Sequence, residues 1–160
     1  MCIVRVGRKR DVMKPIYSKE MTELNRSYKE TENIYASYAA SHDVSTTTLC
    51  VLYSLYTAQM PCTQTQLVAD WGIPMQTVNS CLKALEKSGI FLLEFAQGSR
   101  KRKYIRFTGQ GEQMADRVVA PLVQGENSAF GALAPEEQQL LLQITRKHNA
   151  LLQEYLLNQE

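Results

Sequence analysis

TQTQLVADWGIPMQTVNSCLKALEKSGI, residues 63–90, holds two short helical patterns separated by a tight turn. Thr63 and Gln66 form a capping-box pattern, in which each side chain satisfies a backbone N–H that a helix start leaves open. Gly72 follows Trp71 and closes this first pattern. Ile73-Pro74 opens the next one, because proline suits the first helical turn. Val78, Cys81, Leu82 and Leu85 then recur on one inward face, and Gly89 stops the run. Two short helices joined through a glycine turn form a helix-turn-helix arrangement.

Immediately downstream, residues 90–95 read as an apolar strand and 104–107 as its return. Between them AQGSRKRK, residues 96–103, makes a hairpin tip with Gly98 and four consecutive cations. A helix-turn-helix followed by a basic hairpin is a winged helix. Upstream, residues 45–58 predict a helix with Leu49, Leu52, Tyr53 and Tyr56 on its buried side, and Pro61 ends the connection. Before it, Ser18 is placed to cap a helix with Glu20 in its first turn. Met21, Leu24, Tyr28, Thr31, Tyr35 and Tyr38 step by 3,4,3,4,3 along about six turns. That stripe is longer than one neighbour can cover, so the core and a second subunit compete for it. Further on, a helical pattern runs from Thr108 to about Leu133, with bends expected at Pro121 and Gly125. Pro135-Glu136-Glu137 opens a last helix whose Leu141, Ile144, His148, Leu151 and Tyr155 step by 3,4,3,4, the spacing of a coiled-coil seam.

The expected fold is therefore mainly α with a small β-hairpin wing: a winged helix-turn-helix core flanked by long N- and C-terminal helices. The segments are a basic arm (1–17), an N-terminal helix (18–44), a winged-helix domain (45–108) and C-terminal helices (109–160), the two outer helical segments being the candidates for dimerisation.

The chain has 160 residues, 44% apolar and 21% charged, which is globular composition. Its formal charge of +2 hides an asymmetry. Residues 1–110 carry 15 basic and 9 acidic side chains and 111–160 carry 3 and 7, so the front suits a polyanion. No apolar stretch is long enough to span a bilayer, and the basic start lacks the apolar core of a secretory signal. Cys2, Cys50, Cys62 and Cys81 form no C-x-x-C pair and read as free thiols. Membrane protein, secreted disulfide scaffold and zinc finger are set aside in favour of a cytoplasmic protein. His42 and His148 are isolated, so no metal site is expected. No phosphate loop, H-E-x-x-H or G-x-S-x-G is present, so neither an enzyme nor a cofactor is expected.

If Val78, Cys81, Leu82 and Leu85 face the core, the opposite face of 74–87 presents Gln76, Thr77, Asn79, Ser80, Lys83 and Lys87. Amides pair with adenine edges, hydroxyls serve bases or phosphates, and lysines neutralise phosphates. Arg100, Lys101, Arg102, Lys103 and Arg106 put five cations in seven residues. Crowded on a hairpin tip they repel one another, and a phosphate backbone or narrow minor groove relieves that repulsion.

From Ser45 onward the chain resembles the MarR family of winged-helix transcriptional regulators. The likeness is carried in order by TQTQLVADWGIPMQTVNSCLKALEKSGI, SRKRKYIRFTGQG and LAPEEQQLLLQIT, and with the first helix it covers about nine-tenths of the sequence. The resemblance implies a homodimer with interlocked terminal helices and one DNA half-site per winged-helix lobe. By position, Gln76, Thr77, Asn79, Ser80 and Lys83 would face the major groove. Arg100 and Lys101, with Arg102 and Lys103 beside them, would serve the wing, and Thr63 and Thr65 would touch phosphate. Ser99 stands where many members carry aspartate, and no arginine stands near Ser80, so affinity is expected to lean on the wing. The resemblance also implies a small amphipathic ligand between the dimerisation helices and the DNA-binding lobe, for which Tyr35, Tyr38, Tyr53 and Tyr56 are the candidate lining. The reading is a repressor released by such a ligand, acting on a near-palindromic operator. Its alternatives are a winged-helix protein-interaction module and a thiol-based redox regulator, with Cys62 the best-placed thiol, just before a helix start.

Overall fold

A computed structural model describes residues 16–58, 62–95 and 103–157. Ser18 caps the first helix, α1 (Lys19–Ser41), its hydroxyl accepting from the Met21 N–H. Ser45 does the same for α2 (Thr46–Thr57) through the Thr48 N–H. Both ends of the capping box close at α3 (Gln64–Trp71): the Thr63 hydroxyl accepts from Gln66 N–H, and Gln66 Oε1 accepts from Thr63 N–H at 2.7 Å. Gly72 ends α3 in the left-handed region at φ 60°, where glycine alone carries no side-chain penalty. After Pro74 the chain enters α4 (Met75–Lys87).

β1 (Phe91–Phe95) and β2 (Lys103–Phe107) pair antiparallel, from Phe91 opposite Phe107 to Phe95 opposite Lys103. A single bridge from Cys62 joins the start of α3 to this hairpin, Ile105 N–H donating to the Cys62 carbonyl at 2.9 Å. Thr108 then caps α5 (Gly109–Gly131), which carries Pro121 within it, and α6 (Pro135–Leu157) completes the described chain.

The core lies where α2 crosses α5 and meets α4 and the hairpin. Leu49, Val51 and Leu52 from α2, Leu67 from α3, and Val78, Leu82 and Leu85 from α4 are buried together. Phe91, Ile105, Val118, Val119 and Leu122 join them, with Ala39, Cys62, Ile90 and Ala115. This is the fold read from the sequence, mainly α with a two-stranded wing on a helix-turn-helix, its helices starting and stopping within a residue or two of the expected positions. Cys81 differs slightly, being half-buried where its three apolar companions on α4 are buried.

The expected stripe on α1 divides. Ala39 is buried and Tyr35 and Tyr38 pack on the core, but Tyr28, nearer the N-terminus, is exposed. α6 buries no residue at all. No helix among the described residues is long and apolar enough to cross a membrane.

Candidate nucleic-acid interface

α4 is amphipathic by construction. Val78, Leu82 and Leu85 anchor one side in the core. The other side presents Gln76, Thr77, Ser80 and Lys83, all exposed. Ser80 turns its hydroxyl back to the Gln76 carbonyl at 2.9 Å, so its oxygen faces outward as an acceptor. Asn79 is set apart from these four. It is half-buried, and its Oδ1 accepts a hydrogen bond from Nε2 of Gln64, the first residue of α3. Gln64 was not among the residues the sequence singled out. Its partner lies on another helix, and no local pattern signals such a pairing.

At the start of α3, Thr65 is exposed, whereas Thr63 is half-buried and its hydroxyl also donates to Gln66 Oε1 at 2.8 Å. Thr63 is thus engaged in the cap, and Thr65 is the freer of the two. In the wing, Lys103 is exposed at the start of β2 with its Nζ 5.0 Å from the centroid of the Phe95 ring, a cation–π contact that steadies the ammonium. Arg100, Lys101 and Arg102 lie outside the described residues. Arg106 pairs with Glu94 across the hairpin at 2.8 Å, so one of the five counted cations already has an acid beside it. Both members are largely exposed, and such pairs contribute little to stability.

Among the described residues the four candidate pocket tyrosines do not all share one partner. Tyr35 and Tyr53 converge on Glu126 of α5, their hydroxyls donating to Oε1 at 2.7 Å and Oε2 at 3.1 Å. The hydrogen bond to that carboxylate, with burial second, pushes the Tyr35 phenol up to about 12. Burial foremost, then the same carboxylate, raises Tyr53. Tyr38 donates to the Val118 carbonyl at 2.8 Å. Tyr56 lines an open hollow of about 440 Å³ with Ala120, Val123 and Gln124 of α5. Tyr53 borders a different one, of about 400 Å³, with Trp71 and Asp70 of α3.

Burial raises the thiols of Cys50, Cys62 and Cys81 above their ordinary value, and the nearby Asp70 carboxylate adds to this at Cys62. A redox-sensing thiol needs the opposite shift. Among the described residues no cluster of histidine, cysteine or carboxylate side chains is arranged to hold a metal ion.

No protein-family model matches the sequence, and no curated protein is significantly similar to it. Solved structures are similar in fold. NMB1585, a MarR family regulator from Neisseria meningitidis, superposes with a TM-score of 0.71 at 19% identity, over 86% of this chain and 96% of its own. Bordetella bronchiseptica BpsR, whose DNA binding is regulated by 6-hydroxynicotinic acid, gives 0.63 at 20% identity, over 82% and 99%. A mutant of S. aureus MepR bound to an oligodeoxyribonucleotide gives 0.51 at 18% identity, over 84% and 99%. The chain therefore has the winged-helix fold of MarR-family regulators.

Proposed function

We propose that this chain is a transcriptional regulator of the MarR family that binds double-stranded DNA sequence-specifically as a homodimer, and that it is not an enzyme. The observation that carries this reading is the exposed face of α4, where an amide, two hydroxyls and an ammonium stand clear of the core. Such a face matches the donor and acceptor code of the major groove. Gln76, Thr77, Asn79, Ser80 and Lys83 are assigned to that groove. Thr63 and Thr65 are assigned to phosphate, and Arg100 to Lys103 to the backbone and minor groove. The fold likeness to DNA-bound MepR and to ligand-regulated BpsR supports the same assignment.

Dimerisation is assigned to 18–44 and 109–160. α6 leaves Leu141, Ile144, Leu152 and Leu156 exposed, a run of apolar surface that a soluble monomer does not ordinarily keep. Repression, with release by a small amphipathic molecule, is the mode of action proposed. No observation favours a thiol switch, since all three described thiols are shifted away from the thiolate.

The test is fluorescence anisotropy with DNA from upstream of the protein's own gene, titrated at two salt concentrations against a scrambled duplex. Specific binding with a steep salt dependence is expected. Charge reversal at Arg100 and Lys101 should abolish it. Equal, weak binding to that duplex, to the scrambled one and to duplexes selected from a random pool would overturn the reading.

A further inference from the structure

We infer that Gln64 and Asn79 read DNA as one unit, in which Gln64 fixes the orientation of the Asn79 amide and contributes an acceptor of its own. The inference rests on the placement of α4 in the major groove proposed above. Gln64 is the first residue of α3, and Asn79 lies one turn into α4 beyond Met75. The Gln64 amide nitrogen carries two hydrogens. One goes to Asn79 Oδ1 and the other points to Met75 Sδ at 3.4 Å. Both donors are thus committed to α4. Gln64 Oε1 and the Asn79 Nδ2 hydrogens have no hydrogen-bond partner among the described residues. The pair is half-buried at the junction of the two helices, whereas Gln76, Thr77, Ser80 and Lys83 extend into solvent.

A lone asparagine is free to turn its amide over and meet a donor or an acceptor equally well. With Oδ1 held by Gln64, Asn79 offers N–H groups, and the neighbouring Gln64 Oε1 supplies the acceptor. An acceptor beside a donor fits a base-pair edge that also offers one of each. In the major groove these are N7 and N6 of adenine, or guanine O6 next to cytosine N4. Phosphate, which only accepts, engages half of the unit and carries no sequence information.

The experiment uses the full-length protein and a duplex selected by the wild type from a random pool. Anisotropy titrations at one salt concentration compare that duplex, its single base-pair variants and a random-sequence duplex. Gln64→Leu and Asn79→Ala are each expected to lose about ten- to a hundredfold discrimination at the same base pair in each half-site. The double variant should lose no more than either single one, and affinity for the random duplex should hold. The base pair preferred there, A·T or G·C, identifies the edge that is read. Gln64→Glu keeps the length of the side chain but replaces its donor with a second acceptor. Preference should then move toward exocyclic amino groups, a switch that loosened packing would not produce. Unchanged discrimination in Gln64→Leu overturns the inference, as does an equal loss on specific and random duplexes, which would make the pair a structural joint only. A wild type that selects no sequence would remove the DNA-binding reading itself, and this inference with it.

Discussion

Gly111 is the most tightly enclosed of the described glycines. A Cβ there would lie 1.8 Å from the Ile90 carbonyl oxygen and 2.9 Å from Phe107 Cδ1, because the first turn of α5 passes directly over the entry to the hairpin. Thr108 fixes that approach: its hydroxyl donates to the Gly89 carbonyl at 2.5 Å and accepts from Gly111 N–H at 3.1 Å. Backbone cannot move aside as a side chain can, so Gly111→Ala is expected to cost about 3 kcal/mol or more in urea denaturation, at the severe end of overpacking. Gly125→Ala is the control. A Cβ there meets nothing within 4 Å, and the change should be neutral or stabilise α5 by up to about 1 kcal/mol. Equal effects at the two sites would show that the close approach is absent. Tyr35 makes a second prediction. Its folded pKa of about 12 exceeds the ordinary 10.0, so the folded state holds the phenolic proton where the unfolded chain has lost it. This contribution to stability is complete below pH 10 and is lost as pH rises through about 12. Tyr35→Phe should therefore flatten the alkaline fall in denaturation midpoint between those limits. An alkaline limb identical to the wild type would disconnect Tyr35 from Glu126.

Among the elements, α4 shows what was legible beforehand and what was not. Its start after Pro74 and its inward face follow from local chemistry and periodicity, and so do the caps at Ser18 and Thr63 and the glycine stop at Gly72. Each of those signals lies within a few residues of its effect. The contacts that escaped the sequence join residues far apart in it. Tyr35 and Glu126 are 91 positions apart, Gln64 and Asn79 belong to different helices, and Glu94 meets Arg106 only once the hairpin register is set. Hydrophobic periodicity reports which face is inward, not which polar groups meet across it. The two faces of α4 should also separate in experiment. Leu82 is buried in the shared core, so Leu82→Ala should cost about 2–4 kcal/mol of stability. Lys83→Ala, one position on and exposed, should leave stability within about 0.5 kcal/mol while weakening DNA binding and its salt dependence. A Lys83→Ala variant with wild-type affinity and salt slope would take Lys83 out of the interface.

Across the described chain, the apolar surface is unevenly placed. The core joins α2 to α5, α3 and α4 to the hairpin, yet α6 contributes no buried residue to it, and the Tyr28 hydroxyl, 3.3 Å from His148 Nδ1, is a rare link from α6 back to α1. Most helical stability in proteins comes from packing an apolar face, and α6, twenty-three residues long, buries no residue against the described chain. In the proposed homodimer a second copy would bury the exposed Leu141, Ile144 and Leu151 seam and, by symmetry, place two α4 helices on half-sites about one turn of DNA apart. Joining two lobes makes the second contact intramolecular, so dimerisation and affinity rise and fall together. Replacing Leu141 and Ile144 together by glutamate should convert the dimer to a monomer in sedimentation equilibrium. The near-ultraviolet signal of Trp71, which lies in the lobe, should stay unchanged. Affinity for a two-half-site duplex should fall at least about a hundredfold, toward that for a single half-site. A variant that remains dimeric and binds as before would place the interface on another face of the molecule, and the exposed seam of α6 would then need a different partner.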